Sequence, residues 1–288
     1  MTISNRVVML LMIVVTLTSE VSTTAAAHQQ RKTSPRGSTA NRSRKVRELI
    51  HAAAAGNTPK VLQLLKAGVN VNAPFERDES ELSGKTALMA AASGGHSGLV
   101  AELIERGANV NLQHYSGKTM LMFAADGGDP VTIKALLRAG VDPNAKVISP
   151  HAGEITPLSI TMHSDRPHRL EVVRILLAAG AEVNPKGRFF VSPLMHALRD
   201  LEMVKLLIAH GADVNQKNFR GGTALMIAAA DSSTDVVKYL IEKGADVNAR
   251  DTDGYTALVY AESQRNTIDG DERDQIIQVL KRAAGSKP

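Results

Sequence analysis

The sequence has no cysteine and no tryptophan. Without cysteine there is no disulfide, no thiolate nucleophile and no cysteine-ligated metal. Aromatic side chains are scarce, four Tyr and five Phe in 288 residues, so a core has to rest on Leu, Val, Ile, Ala and Met, a set that suits short, closely packed helices. Charge excess is missing from most of the chain as well. Of 34 basic and 29 acidic residues, Arg6 and Glu20 lie in the first 27, while Arg31, Lys32, Arg36, Arg42, Arg44 and Lys45 crowd into residues 28–45 with no acid among them. The remainder is about neutral, which argues against a basic nucleic-acid groove.

Residues 1–27 carry the pattern of an export signal. Arg6 precedes a compact apolar run, Val7 to Thr18, and Ala25-Ala26-Ala27 offers small residues for a cut before His28. A spanning helix needs about 20 apolar residues, and Glu20 closes this run early. The expectation is a cleaved leader with no stable membrane insertion afterwards, and a periplasmic or secreted protein; an uncleaved anchor is the alternative. Residues 28–45 have no large apolar side chain and are rich in Ser, Thr and cations, so a disordered basic linker is expected. A spacer is the plain role for it, and attraction to an anionic envelope surface the sharper one.

From residue 46 onward the chain repeats itself. Gly221 to Asn248 reads GGTALMIAAADSSTDVVKYLIEKGADVN, and the same frame falls on Gly84 to Asn111 and Gly117 to Asn144. The closing residues Asn72, Asn111, Asn144, Asn184, Asn215 and Asn248 are spaced by 39, 33, 40, 31 and 33 residues, a base period of 33 with insertions and a deletion. Unit starts are Thr86, Thr119, Thr156, Ser192, Thr223 and Thr256, each two residues before a Leu. A Thr or Ser there can cap the first helix. The Gly before each closing Asn supplies the left-handed residue that ends the second helix.

This frame, recurring in register, resembles the ankyrin-repeat family. The resemblance implies an all-α solenoid, an array of about seven helix-turn-helix units with projecting β-hairpin loops. The units fall near 46–74, 84–113, 117–146, 154–186, 190–217, 221–250 and 254–284, and the domain spans 46–288. The first finger, Ala73 to Ser83, is long and acidic, and Lys146 to Ile155 is extended. The fourth unit adds His163 to Arg169 between its helices, the fifth is short at Arg199-Asp200, and the last lengthens its loop over Gln264 to Asp274.

Catalytic signatures do not assemble. Ser83-Gly84-Lys85-Thr86 and Ser116-Gly117-Lys118-Thr119 imitate the end of a phosphate-binding loop, but Glu79 and Leu112 stand where the first glycine is needed. The nine His residues form no metalloenzyme pair; His163, Asp165 and His168 come nearest, and His196 falls within an apolar helix. No nucleophile elbow or cofactor fingerprint occurs. The expectation is a non-enzyme without cofactor or metal. Met89, Met122, Met195 and Met226 follow directly after the Leu of four of the six starts, a position read as seam packing rather than as a binding face.

Binding is where the aromatics point. Phe75, Tyr115, Phe189, Phe190, Phe219 and Tyr255 lie in or beside the fingers, and aromatics are enriched at binding hot spots. In the family, partners are gripped by finger tips and the inner face of the first helices. The resemblance therefore makes Tyr115, Ser116, Lys118, Phe190, Phe219, Arg220, Thr252, Asp253 and Tyr255 candidate finger contacts, with Asp126 and Asp231 facing the groove. The expected function is a scaffold for another exported protein, as an accessory or inhibitory binder acting as a monomer; an envelope tether is the alternative, and a hydrolytic or metal-dependent enzyme a remote one.

Overall fold

The structure, a computed structural model, describes residues 36–76, 80–149, 153–163, 165–185, 191–263 and 270–285. The chain divides into two compact units, Met1–Lys45 and Val46–Pro288. Helices come in pairs: α1 (Arg36–Ala54) with α2 (Thr58–Lys66), α3 (Ala87–Ser93) with α4 (Ser97–Glu105), and α5 (Met120–Gly127) with α6 (Pro130–Arg138). A short hairpin, β1 (Val147–Ser149) and β2 (Gly153–Ile155), precedes α7 (Pro157–Met162) and α8 (Arg169–Ala178). The array continues with α9 (Pro193–His196), α10 (Leu201–Ala209), α11 (Ala224–Asp231), α12 (Thr234–Glu242), α13 (Ala257–Glu262) and α14 (Gly270–Gly285). First helices stack on first helices, α3 on α5 on α7 and α11 on α13, and second helices stack likewise, α4 on α6 on α8 and α10 on α12 on α14. The result is an all-α repeat solenoid of seven helix pairs with one continuous core.

Each unit is built by local chemistry that its sequence spells out. Thr86, Thr156, Ser192 and Thr223 accept from the backbone N–H three residues on and start their helices. Thr119 makes no such bond, and its hydroxyl is buried without a partner among the described residues. Second helices are capped by Asn57, Asp129, Asp200 and Ser233. They end at glycines such as Gly140 (φ 81°) and Gly180 (φ 86°), where a side chain would be strained, while the next N–H reaches back to close the turn (Val141 to Leu136, 3.2 Å; Ala181 to Leu176, 3.0 Å). The alanines recurring after each start, Ala91, Ala92, Ala124, Ala125, Ala228 and Ala229, are buried where neighbouring helices meet. The four recurring methionines are buried beside them.

The closing Asn does more than lead into a finger. Asn144 donates from Nδ2 to the Gly180 carbonyl (2.9 Å) and accepts at Oδ1 from the Glu182 N–H (2.7 Å). Asn72, Asn184 and Asn215 bridge to Gly107 and Asn109, to Gly211 and Asp213, and to Gly244 and Asp246 in the same way. The repeat residue is thus a staple between units.

Four sequence expectations are corrected. Helix α1 begins at Arg36, inside the segment expected to be disordered; residues 28–35 lie outside the described residues. Once the apolar stretch from Val46 nucleates a helix, Arg42, Arg44 and Lys45 favour its extension backwards, against the opposing propensity of Gly37, Ser38, Thr39, Asn41 and Ser43. Strand pairing develops only at β1–β2 among the described residues, in the extended loop. The shorter fingers close as turns, with His114 bonded to Lys118, Asn218 to Gly222 and Asp251 to Tyr255, too few residues for a ladder. Phe75 is a core residue, 3% exposed, with the Arg47 guanidinium 5.4 Å from its ring centre and His51 edge-on at 5.5 Å. Finally, α14 starts at Gly270, within the stretch expected to be loop, because Asp271 and Glu272 favour a helix N-terminus.

Candidate functional site

Stacking the units lines up equivalent side chains across the inner face. One row runs Ala90, Phe123, Ile160, His196, Ile227 and Tyr260; a second runs Ser93, Asp126, His163, Arg199, Ala230 and Ser263. Finger residues border them, and two clusters gather most of the candidates.

The first cluster lies on the second and third units. The Lys85 amine sits 5.3 Å from the Phe123 ring centre and 3.4 Å from the Ser93 hydroxyl. Burial holds its pKa below the usual lysine value, against the opposing pull of Asp126 and Glu81. His114 ties the two fingers together. Its Nε2 lies 2.7 Å from the Ser83 carbonyl and must donate there, which leaves Nδ1 to accept from Ser116 (hydroxyl 2.7 Å, backbone N–H 3.2 Å). Its ring backs Tyr115 at 4.0 Å and meets Phe123 edge-on at 5.6 Å. Tyr115 remains 55% exposed, yet it also covers Gly84 so closely that a Cβ there would fall 2.4 Å from the ring. Ser116, Lys118 and Asp126 are exposed.

The second cluster lies on the last two units, around a groove of about 750 Å³ lined by Arg220, Ala230, Asp253, Tyr255, Val259, Tyr260, Glu262 and Ser263. Tyr255, 51% exposed, stands perpendicular to Tyr260 with centroids 6.4 Å apart. Asp251 organises this finger: one carboxylate oxygen accepts from the N–H of Tyr255 (2.8 Å) and Asp253 (3.0 Å), the other from the Tyr260 hydroxyl (2.7 Å). The Tyr260 bond, followed by those backbone donors, holds the Asp251 carboxyl below its usual range, and the same bond and burial push the Tyr260 phenol up to about 12. Thr252 bonds through N–H (2.9 Å) and hydroxyl (3.0 Å) to the Arg220 carbonyl, zipping adjacent fingers. The Arg220 guanidinium lies 5.6 Å from the Phe219 ring centre, and Phe219 is 55% exposed. Asp231 pairs with Arg199 of the preceding unit.

Arg220, Asp253 and Tyr255 therefore converge on one groove. Phe219, Thr252 and Asp231 stand near it with partners of their own, and Tyr115, Ser116, Lys118 and Asp126 form a separate patch. Phe190 lies outside the described residues, as does Phe189. Sequence reasoning missed Tyr260, Val259, Lys85 and His114. Tyr260 shares a row with Phe123, a pattern visible in the repeat alignment once that row is known to face the groove.

Between the clusters, His163 and His196 face each other across the fourth and fifth units, with ring centroids 4.2 Å apart and planes at 59°. His163 directs Nδ1 to the Ser159 carbonyl at 2.7 Å. Burial, with a smaller push from His163, lowers the His196 pKa to about 4. Among the described residues no group of three His, Cys, Asp or Glu side chains is placed to hold a metal, and no helix is long and apolar enough to cross a membrane.

Comparison with known proteins adds the family. The profile described as "Ankyrin repeats (3 copies)" matches residues 49–147 and 197–280. Among solved structures the chain is similar to the human ASB11 ankyrin repeat domain, with 26% identity and TM-score 0.68, covering 83% of this chain and 99% of that one. It is also similar in fold to the ankyrin repeat domain of Bcl-3, described as a unique member of the IkappaB family (24% identity, TM-score 0.58, 81% and 97% covered). No curated protein sequence matches.

Proposed function

The chain belongs to the ankyrin-repeat family, and from that premise we propose that it is a non-catalytic scaffold gripping another exported protein with its inner face and fingers. Ankyrin repeats bind protein partners. The observation carrying the proposal to particular residues is the groove of the last two units, where Tyr255, Tyr260 and Val259 offer apolar surface between the charged Arg220 and Asp253. Half-exposed rings flanked by polar groups are the composition of an interface centre. Tyr115 and Phe219, both 55% exposed at finger tips, extend the contact along the array. The leader pattern of residues 1–27 supports export to the periplasm or the exterior, with the binder acting on a partner there as an accessory or inhibitor.

The experiment is affinity capture from the native envelope fraction, with partners identified by mass spectrometry and affinity then measured on purified components. Tyr115→Ala with Phe219→Ala, and separately Tyr255→Ala, should weaken binding while the helical melt stays nearly unchanged. Intact binding with a lowered melt would make those rings structural and sink the proposed face.

A further inference from the structure

We propose that His163 and His196 form a site for a divalent transition-metal ion, two imidazoles supplied by adjacent units with the remaining coordination positions open. The pair is preorganised from both sides. His163 caps α7, and its Nδ1 lies 2.7 Å from the Ser159 carbonyl, one turn back. A carbonyl only accepts, so Nδ1 carries the proton and Nε2 keeps the lone pair. Orientation of the second nitrogen by a backbone carbonyl is the usual support for a metal-binding histidine. His196 ends α9, the four-residue first helix of the fifth unit, and its ring lies against that of His163 in the preceding unit.

The separation suits a shared ion. With metal–nitrogen bonds of about 2.0–2.1 Å, two imidazoles on one ion hold their centroids about 4.5 Å apart at a right angle and about 5.2 Å apart at a tetrahedral angle. The observed 4.2 Å at 59° therefore needs the rings to part by about 0.3–1 Å, with one nitrogen of each turned to a common point. Imidazole ligands suit zinc, copper and nickel. No third ligand from the described residues completes the set, so water or an incoming side chain would fill the open positions. Both histidines occupy the inner-face rows, where such a side chain could arrive.

The test uses the full chain without a polyhistidine tag, titrated with zinc chloride by calorimetry at pH 7. One equivalent should bind saturably. His163→Ala and His196→Gln should each weaken binding by roughly tenfold or more, and His51→Ala, on α1, should leave it unchanged. Because His163 is exposed, His163→Ala decides the matter even if the His196 variant folds poorly. Absence of saturable binding in the wild type, or wild-type affinity in His163→Ala, overturns the site. Neither outcome depends on the protein partner.

Discussion

Asn144→Ala isolates the staple between the third and fourth units. Its side chain makes two bonds to backbone groups of the next unit, to the Gly180 carbonyl at 2.9 Å and from the Glu182 N–H at 2.7 Å. A hydrogen bond contributes about 0.5–1.5 kcal/mol net, and water reaches both orphaned groups at this exposed position, so the loss should be about 1–2 kcal/mol. For an array of this length that lowers the melting temperature by about 2–8 °C. Each unit of a solenoid is stabilised chiefly through its neighbours, so the deficit falls on the interface and not on either helix pair. Urea unfolding followed by circular dichroism at 222 nm measures it. Asn144→Asp is the companion variant. It keeps the acceptor for Glu182 but turns a carboxylate toward the Gly180 carbonyl, and should recover no stability over Ala at pH 7. Asn215→Ala, at a distant interface, should add its own loss independently. A change for Asn144→Ala below about 0.5 kcal/mol, the range of ordinary surface substitutions, would refute the staple.

Gly127→Ala and Gly98→Ala should move in opposite directions. A Cβ at Gly127 would meet the Ala92 carbonyl oxygen at 2.1 Å, forcing two backbones apart at a cost of about 1–3 kcal/mol, whereas Gly98 has nothing within 4 Å and should gain up to about 1 kcal/mol of helix propensity. Equal melts for the two variants would show the close approach to be unimportant. Leu225→Ala, at a fully buried core position, should destabilise by about 2–5 kcal/mol in the same denaturation assay. In chelator-containing buffer, stability should depend on His196. Its folded pKa of about 4 lies below the unfolded value of 6.5, so the unfolded chain takes up the proton first. Stability is then full above pH 6.5 and falls as the pH drops toward 4. His196→Gln should flatten urea midpoints across that window, and an unaltered slope would exclude the imidazole as its source.

The repeat architecture was legible in the residues because it rests on local chemistry. A capping Thr, a buried Leu, small Ala pairs and a left-handed Gly act within a few residues of themselves, and each recurrence restates the same helix pair. The groove was only half legible. Tyr255 and Arg220 stand out as finger residues in a chain poor in aromatics, but Tyr260 reads as an ordinary helical residue. Its place in the groove beside Arg220 and Ala230 of the preceding unit depends on how α13 stacks on α11. Phe75 was misread for the converse reason: nothing within its own finger says that α1 will supply Arg47 and His51 to cover it.

The sequence by itself determined the unit, the period and the continuous core, since those follow from propensity, capping and hydrophobic pattern along the chain. Only the tertiary structure decided which residues of different units meet. The bridging of Asn144 to Gly180, the meeting of Arg220 with Tyr260 around one groove, and the approach of His163 to His196 all depend on stacking distance and rotation. A spacing of 31 or 40 residues, where the period is 33, shows in the sequence as a deletion or insertion, but what the altered finger or loop then meets in the neighbouring unit is set by the stack.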